Sequence, residues 1–156
     1  MRREIYQKVK QRLSSCYVLP DGNYVLLEHG QSIPEGAQRM IPYINLWNHN
    51  VEFIEQEEAW SRPAVFIEFA SIDWSGIDSD GYRTTSALRL HVVTDWSGDE
   101  DSLKVFDLCE QIREAIIGLN GDHFTGLKLL STETNHNHED LVESIEVFEY
   151  GGEWVP

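Results

Sequence analysis

Between residues 63 and 119 the chain writes out a β-rich apolar run, a turn, a long alternating strand and an amphipathic helix. The run is Pro63-Ala-Val-Phe-Ile-Glu-Phe69, compact and rich in strand formers. Residues 83–95 alternate, with Leu88, Leu90 and Val92 on one face and Arg89, His91 and Val93 on the other. Over 101–119, Val105, Leu108, Cys109, Ile112, Ile116 and Leu119 recur at helical spacing. A hairpin with a helix laid across it demands a two-layer α+β arrangement. No group of reactive side chains accompanies it, which points to a protein that acts through its surfaces.

The flanking segments extend this pattern. Residues 2–16 read as a first helix, with Ile5, Val9, Leu13 and Cys16 on its apolar side. Pro20, Gly22, Gly30, Pro34 and Gly36 then punctuate 18–38, an irregular excursion in which only 24–27 reads as a short strand. Two extended stretches follow, 41–47 and 51–54, separated by the polar turn Asn48-His49-Asn50. A strand over 64–73 and a loop ending in Asp80-Gly81 lead to the long strand. Asp99, Glu100 and Asp101 suit the positive end of the second helix, capped by Ser97, Asp99 or Ser102, and Asn120-Gly121 ends it. Strands over 124–132 and 142–149, joined by the polar loop 133–140, complete the set, and 150–156 reads as a loose tail. The expected order is α-β-β-β-β-α-β-β: one domain over 1–156, with an antiparallel sheet of about four to six strands and two helices on one face.

Net charge narrows the class of partner. The chain carries −15 at neutral pH, yet Arg2, Arg3, Lys8, Lys10 and Arg12 crowd its first helix against Glu4 alone. An acidic body opposes direct binding to a phosphate backbone, which needs clustered cations. It fits a wall that repels passing nucleic acid, a mimic of nucleic acid offered to a basic partner, or plain solubility. Cys16 and Cys109 are too few for a disulfide framework or a zinc ribbon, so reduced, buried thiols and an intracellular setting are expected. No apolar region follows Met1-Arg2-Arg3, so no secretory signal is expected, and no run of about 18 apolar residues would span a membrane.

His136, His138 and Asp140 form the best candidate metal set, since alternate residues of an extended chain point to one side. Their setting in a polar loop favours solvated side chains instead. Asp78-Ser-Asp80-Gly81 starts like a calcium loop, but the later positions fall on Tyr82 and Arg89, so it reads as turn chemistry. Asp-Trp-Ser-Gly occurs at 73–76 and again at 95–98, at opposite ends of a hairpin, each copy stopping a strand. There is no nucleophile elbow, P-loop or dinucleotide fingerprint. The five tryptophans punctuate strand ends, where core packing is the default and interface anchoring the exception.

Ile44-Asn-Leu-Trp-Asn48, Val51-Glu-Phe-Ile-Glu, Arg62-Pro-Ala-Val-Phe-Ile-Glu-Phe and Leu88-Arg-Leu-His-Val-Val-Thr resemble segments of small phage or prophage proteins of Bacteroidetes-type elements. The element order is similar to the tail terminator, or tail completion, family of the lambda gpU type. The resemblance covers about 110–120 residues by element order, and its motifs are structural rather than catalytic. The segment 18–38 departs from the family pattern.

The resemblance implies a homo-oligomeric ring, typically a hexamer, seated on the last disc of the tail tube. It implies docking to the head-side connector and passage of DNA through the lumen without specific binding. The location implied is the bacterial host's cytoplasm during assembly and then the virion tail. No enzymatic activity, cofactor or membrane contact is expected. Lys8, Lys10, Arg12, Trp47, Trp74 and Trp96 are the expected interface residues, the basic helix meeting an acidic neighbour. The competing readings are an acidic protein-binding module, such as a DNA-mimicking inhibitor from a mobile element, and a small metal-dependent hydrolase using His136 and His138.

Overall fold

Leu88, Leu90 and Val92 are fully buried, and their row sets the inner face of the main sheet. The computed structural model describes residues 1–48, 60–74, 77–78, 81–136 and 138–154. Among these, α1 spans Arg2–Ser14, and β1 (Cys16–Val18), β2 (Tyr24–Leu26) and β3 (Gln38–Arg39) follow. Next come β4 (Tyr43–Leu46), β5 (Ala64–Phe69), β6 (Ile77–Asp78) and β7 (Gly81–Asp95). A 3-10 turn over Glu100–Leu103 leads into α2 (Lys104–Ile116), and β8 (Lys128–Asn135) and β9 (Leu141–Trp154) close the order.

The main sheet has six strands in the order β4-β5-β7-β9-β8, with β6 paired to β7. Its spine is the antiparallel pair β7–β9, in register from Tyr82 opposite Trp154 to Asp95 opposite Leu141. Residues directly opposite one another share a face. Leu88 with Phe148, Leu90 with Glu146 and Val92 with Ser144 therefore point inward, and His91 with Ile145 and Val93 with Glu143 point outward. β5 continues both rows, adding Val65 and Ile67 inside and Ala64 and Phe66 outside.

Both helices cover the inner face. Ile5, Val9 and Leu13 of α1 and Val105, Leu108, Cys109, Ile112 and Ile116 of α2 join the inner rows in one core. Each such side chain contributes about 1.5–3 kcal/mol when fully buried. Asp99 caps the turn before α2 by accepting the Asp101 N–H at 3.0 Å, and the Ser102 hydroxyl accepts from Ser97 and Gly98. α2 stops at Ile116 rather than near Asn120-Gly121, because Gly118 takes a left-handed φ of 82° and turns the chain first. Gly121 has a different role: a Cβ there would fall on the Glu4 carboxylate and the Phe124 ring.

The outer face carries its own aromatic layer. Trp60, Ala64, Phe66, Val93 and Leu141 are buried there, with Tyr43 and Trp47 packed against them.

Three expectations need adjustment. The segment 18–38 contributes to a second, three-stranded sheet, β2-β1-β3, in which β1 pairs antiparallel with both neighbours. Its short strands are hidden by the intervening Gly and Pro residues. β4 pairs parallel to β5, so the main sheet is antiparallel everywhere except at that edge. The long connection over 47–63 suits a crossover rather than a hairpin. The strand expected over 51–54 lies outside the described residues, as do His49 and Asn50 of the turn. Finally, β9 runs on to Trp154, through residues that read as a loose tail. Gly151 and Gly152 allow this, because their missing side chains leave room for Thr125 and Met1.

Candidate interaction surfaces

At the far end of the β7–β9 ribbon, three aromatic rings meet in the open. Tyr82 and Trp154 stack with centroids 5.3 Å apart, and Trp74 meets each edge-on at 6.2 and 6.4 Å. Trp154 is 52% exposed and Trp74 37%. The segment carrying Trp74 is held by β7, where Thr84 and Ser86 donate hydroxyl protons to the Asp73 and Ser71 carbonyls, both at 2.8 Å. Arg2, Asp122, His123 and Glu153 rim the shallow groove beside the cluster. Trp74 was legible as a surface aromatic. Trp154 and Tyr82 were not, because their partnership depends on a register across β7 and β9 that begins beyond the expected strand ends.

Trp96 sits at the opposite end, against Phe106 at 6.2 Å and His136 at 5.4 Å. The two Asp-Trp-Ser-Gly copies thus occupy opposite ends of the ribbon, although Ser75 and Gly76 lie outside the described residues. His136, His138 and Asp140 do not converge, and among the described residues no group of three His, Cys, Asp or Glu side chains is arranged to hold a metal ion. Ser79 and Asp80 of the calcium-like string also lie outside the described residues.

Trp47 turns onto the outer face. Its indole stacks on the His91 ring with centroids 3.8 Å apart and planes 2° from parallel. His91 is buried between two carboxylates, Nδ1 lying 2.9 Å from Glu143 and Nε2 2.8 Å from Glu68. Arg89 approaches Glu68 at 3.7 Å, and Asn135 donates to Glu143 at 3.0 Å. Burial pushes the Glu143 carboxyl up, but the hydrogen bonds from His91 and Asn135 and the charges of His91 and His138 outweigh it and hold the group below its ordinary range. The sequence placed His91 on this face without showing that Glu68 and Glu143 flank it.

The basic residues of α1 are partly used within the chain. Arg12 Nε donates to the Ala115 carbonyl at 3.0 Å, and Lys8 Nζ to the Asn120 carbonyl at 3.2 Å. Arg12 thus meets the negative end of α2, and Lys8 the loop that follows it. Lys10 stays exposed, with its ammonium 5.8 Å from the Tyr6 ring centroid. Glu4 accepts from His123 at 2.7 Å, a bond that lowers the Glu4 carboxyl and ties the start of α1 to the loop after α2.

The inner face is unevenly covered. Arg113 of α2 reaches the fully buried Glu146 of β9 with Nε at 3.0 Å, and Thr132 of β8 donates to the same carboxylate at 2.6 Å. This pair raises the Arg113 pKa further. Beyond it, β8 stands at the sheet edge with β9 as its neighbour, and almost every residue is exposed. Leu103, Phe106 and Ile117 along α2, and Leu129 and Leu130 on β8, are between 39% and 55% exposed.

Cys16 and Cys109 are free and buried, and burial raises both thiols, so neither is poised as a nucleophile. No helix of the described residues is long and apolar enough to cross a membrane.

Comparison with known proteins finds no matching family profile and no matching curated protein. Among solved structures, the chain is similar to one from the virion of a native gene transfer agent particle. The TM-score is 0.47 and the identity 14%, over 71% of this chain and 78% of that one.

Proposed function

We propose that this chain is a structural component of a phage or prophage tail: a tail terminator or head–tail joining protein that assembles as a ring and caps the tail tube. The observation that carries the reading is the Trp74, Tyr82 and Trp154 cluster, an exposed aromatic anchor at the tip of the β7–β9 pair. Aromatic groups exposed in this way are the usual centres of protein interfaces. Among the described residues the main sheet also ends at β4 on one side, and an edge left unpaired invites contact with another chain. The sequence resemblance to the tail terminator family supplies the class of assembly.

On this reading the aromatic tip seats on the last tube disc, and neighbouring copies meet through heterologous contacts that close into a ring. Lys10, exposed on α1, is available to an acidic neighbour. Acidic side chains facing the lumen repel passing DNA, and the head-side connector docks on the remaining exposed face.

Co-sedimentation with tail tubes of the same element tests this. The native chain is expected to pellet with the tubes, and the Trp74→Ala/Trp154→Ala variant to stay in the supernatant while remaining folded. A native chain that stays in the supernatant at every concentration contradicts the proposal.

A further inference from the structure

Among the described residues β9 is the one sheet neighbour of β8, and we propose that two copies of this chain pair through the other edge of residues 128–133 about a two-fold axis, independently of any ring on a tail tube. β8 reads Lys128-Leu-Leu-Ser-Thr-Glu133 before Thr134 and Asn135. A register shift between Leu129 and Ser131 makes Leu130 the extra residue. Lys128 opposes Glu149 and Glu133 opposes Ile145, so both charges stand on the outer-face row. Without the bulge, positions 128 and 133 would fall on opposite faces.

This arrangement decides the occupant. A two-fold axis normal to the sheet at Ser131 lays β8 antiparallel beside its copy. Lys128 of each copy then faces Glu133 of the other, and Leu129 faces Thr132 on the inner side. Opposite charges directly across an antiparallel pair stabilise it. The chain is strongly acidic overall, so a Lys at one end of its exposed edge and a Glu at the other is a pattern that its own copy matches.

The apolar flank of α2 fits the same geometry. Three links bring that flank alongside β8: Phe106 through Trp96 to His136, Arg113 through Glu146 to Thr132, and the Gly118 N–H donating to the Leu127 carbonyl at 2.9 Å. Adjacent strands are spaced by about 4.8 Å, so the two β9 strands, each beneath its α2, lie about 14 Å apart. Phe106 and Ile117 of both copies then line one trough floored by Leu129, and apolar side chains left half exposed in one copy become covered in the pair.

The test uses the full chain without tail tubes. Light scattering over a concentration series is expected to show monomer and dimer. Lys128→Glu and Glu133→Lys each place two like-charge pairs at the joint and are expected to raise the monomer–dimer midpoint about ten-fold. An equimolar mixture of the two variants restores opposite charges at both contacts and is expected to dimerise as readily as the native chain. Both positions are exposed, and unchanged thermal midpoints of the single variants show that folding is intact. A native chain that stays monomeric throughout the series overturns the proposal, as does a dimer that neither variant weakens or a mixture that fails to restore it. None of these outcomes bears on tube capping, which co-sedimentation reads separately.

Discussion

The indole of Trp47 and the imidazole of His91 lie face to face, 3.8 Å between centroids, over the outer side of the sheet. This contact joins the end of β4 to the middle of β7. Trp47 therefore acts within the fold, packing with Phe66 and His91, even though it remains partly exposed. Trp47→Ala is expected to lower stability by about 2 kcal/mol, from lost apolar burial and ring stacking. Urea unfolding checks this, and an unchanged midpoint contradicts it.

Glu143 makes stability depend on pH in a defined direction. Its carboxyl is held below the ordinary value of 4.5, so the folded state binds the proton more weakly than the unfolded chain. The stabilisation is complete above that ordinary value and is lost as pH falls through the lower folded value. Replacing Glu143 by Gln is expected to cost about 2 kcal/mol near neutrality. The two stability curves should converge in acid; curves that stay parallel from pH 7 down to the acid transition would argue against this assignment.

Arg113 is the cation bonded to Glu146, which is fully buried. Arg113→Met leaves that carboxylate with the Thr132 hydroxyl and is expected to cost about 3 kcal/mol. Arg113→Met/Glu146→Leu should recover most of the loss, because an apolar pair needs no desolvated charge. Denaturant midpoints of the single and double variants decide it, and equal loss in both contradicts the buried-charge explanation.

Much of this organisation was legible in the chain. The 3.6 and 2.0 periodicities located α1, α2 and β7, since each buries one continuous row against the others. The site was less legible. Trp154 lies in a stretch whose glycines signal a turn, yet those glycines are what allow β9 to pass Met1 and Thr125. The roles of the carboxylates Glu68, Glu143 and Glu146 were not legible, because a single strand does not reveal its cross-strand partners. The parallel seating of β4 depends on a long connection whose length excludes a hairpin without naming the neighbour.

The α1 cations separate into two groups by their contacts. Arg12→Glu places an anion at the carbonyl end of α2 and is expected to lower stability by about 1 kcal/mol. Lys10→Glu should leave the thermal midpoint within about 0.5 kcal/mol of native, as is usual for surface positions, while weakening any contact with an acidic neighbour. Thermal melts of both variants, with tube co-sedimentation at low and high salt, distinguish the groups. Equal melting of both with equal loss of binding contradicts the division.

Electron microscopy of tail tubes from the chain's own element, assembled with and without the protein, tests the central claim most directly. The account predicts a ring of density at one end of each tube and tubes arrested at a uniform length. Bare tube ends with an unchanged length distribution at saturating protein would contradict it.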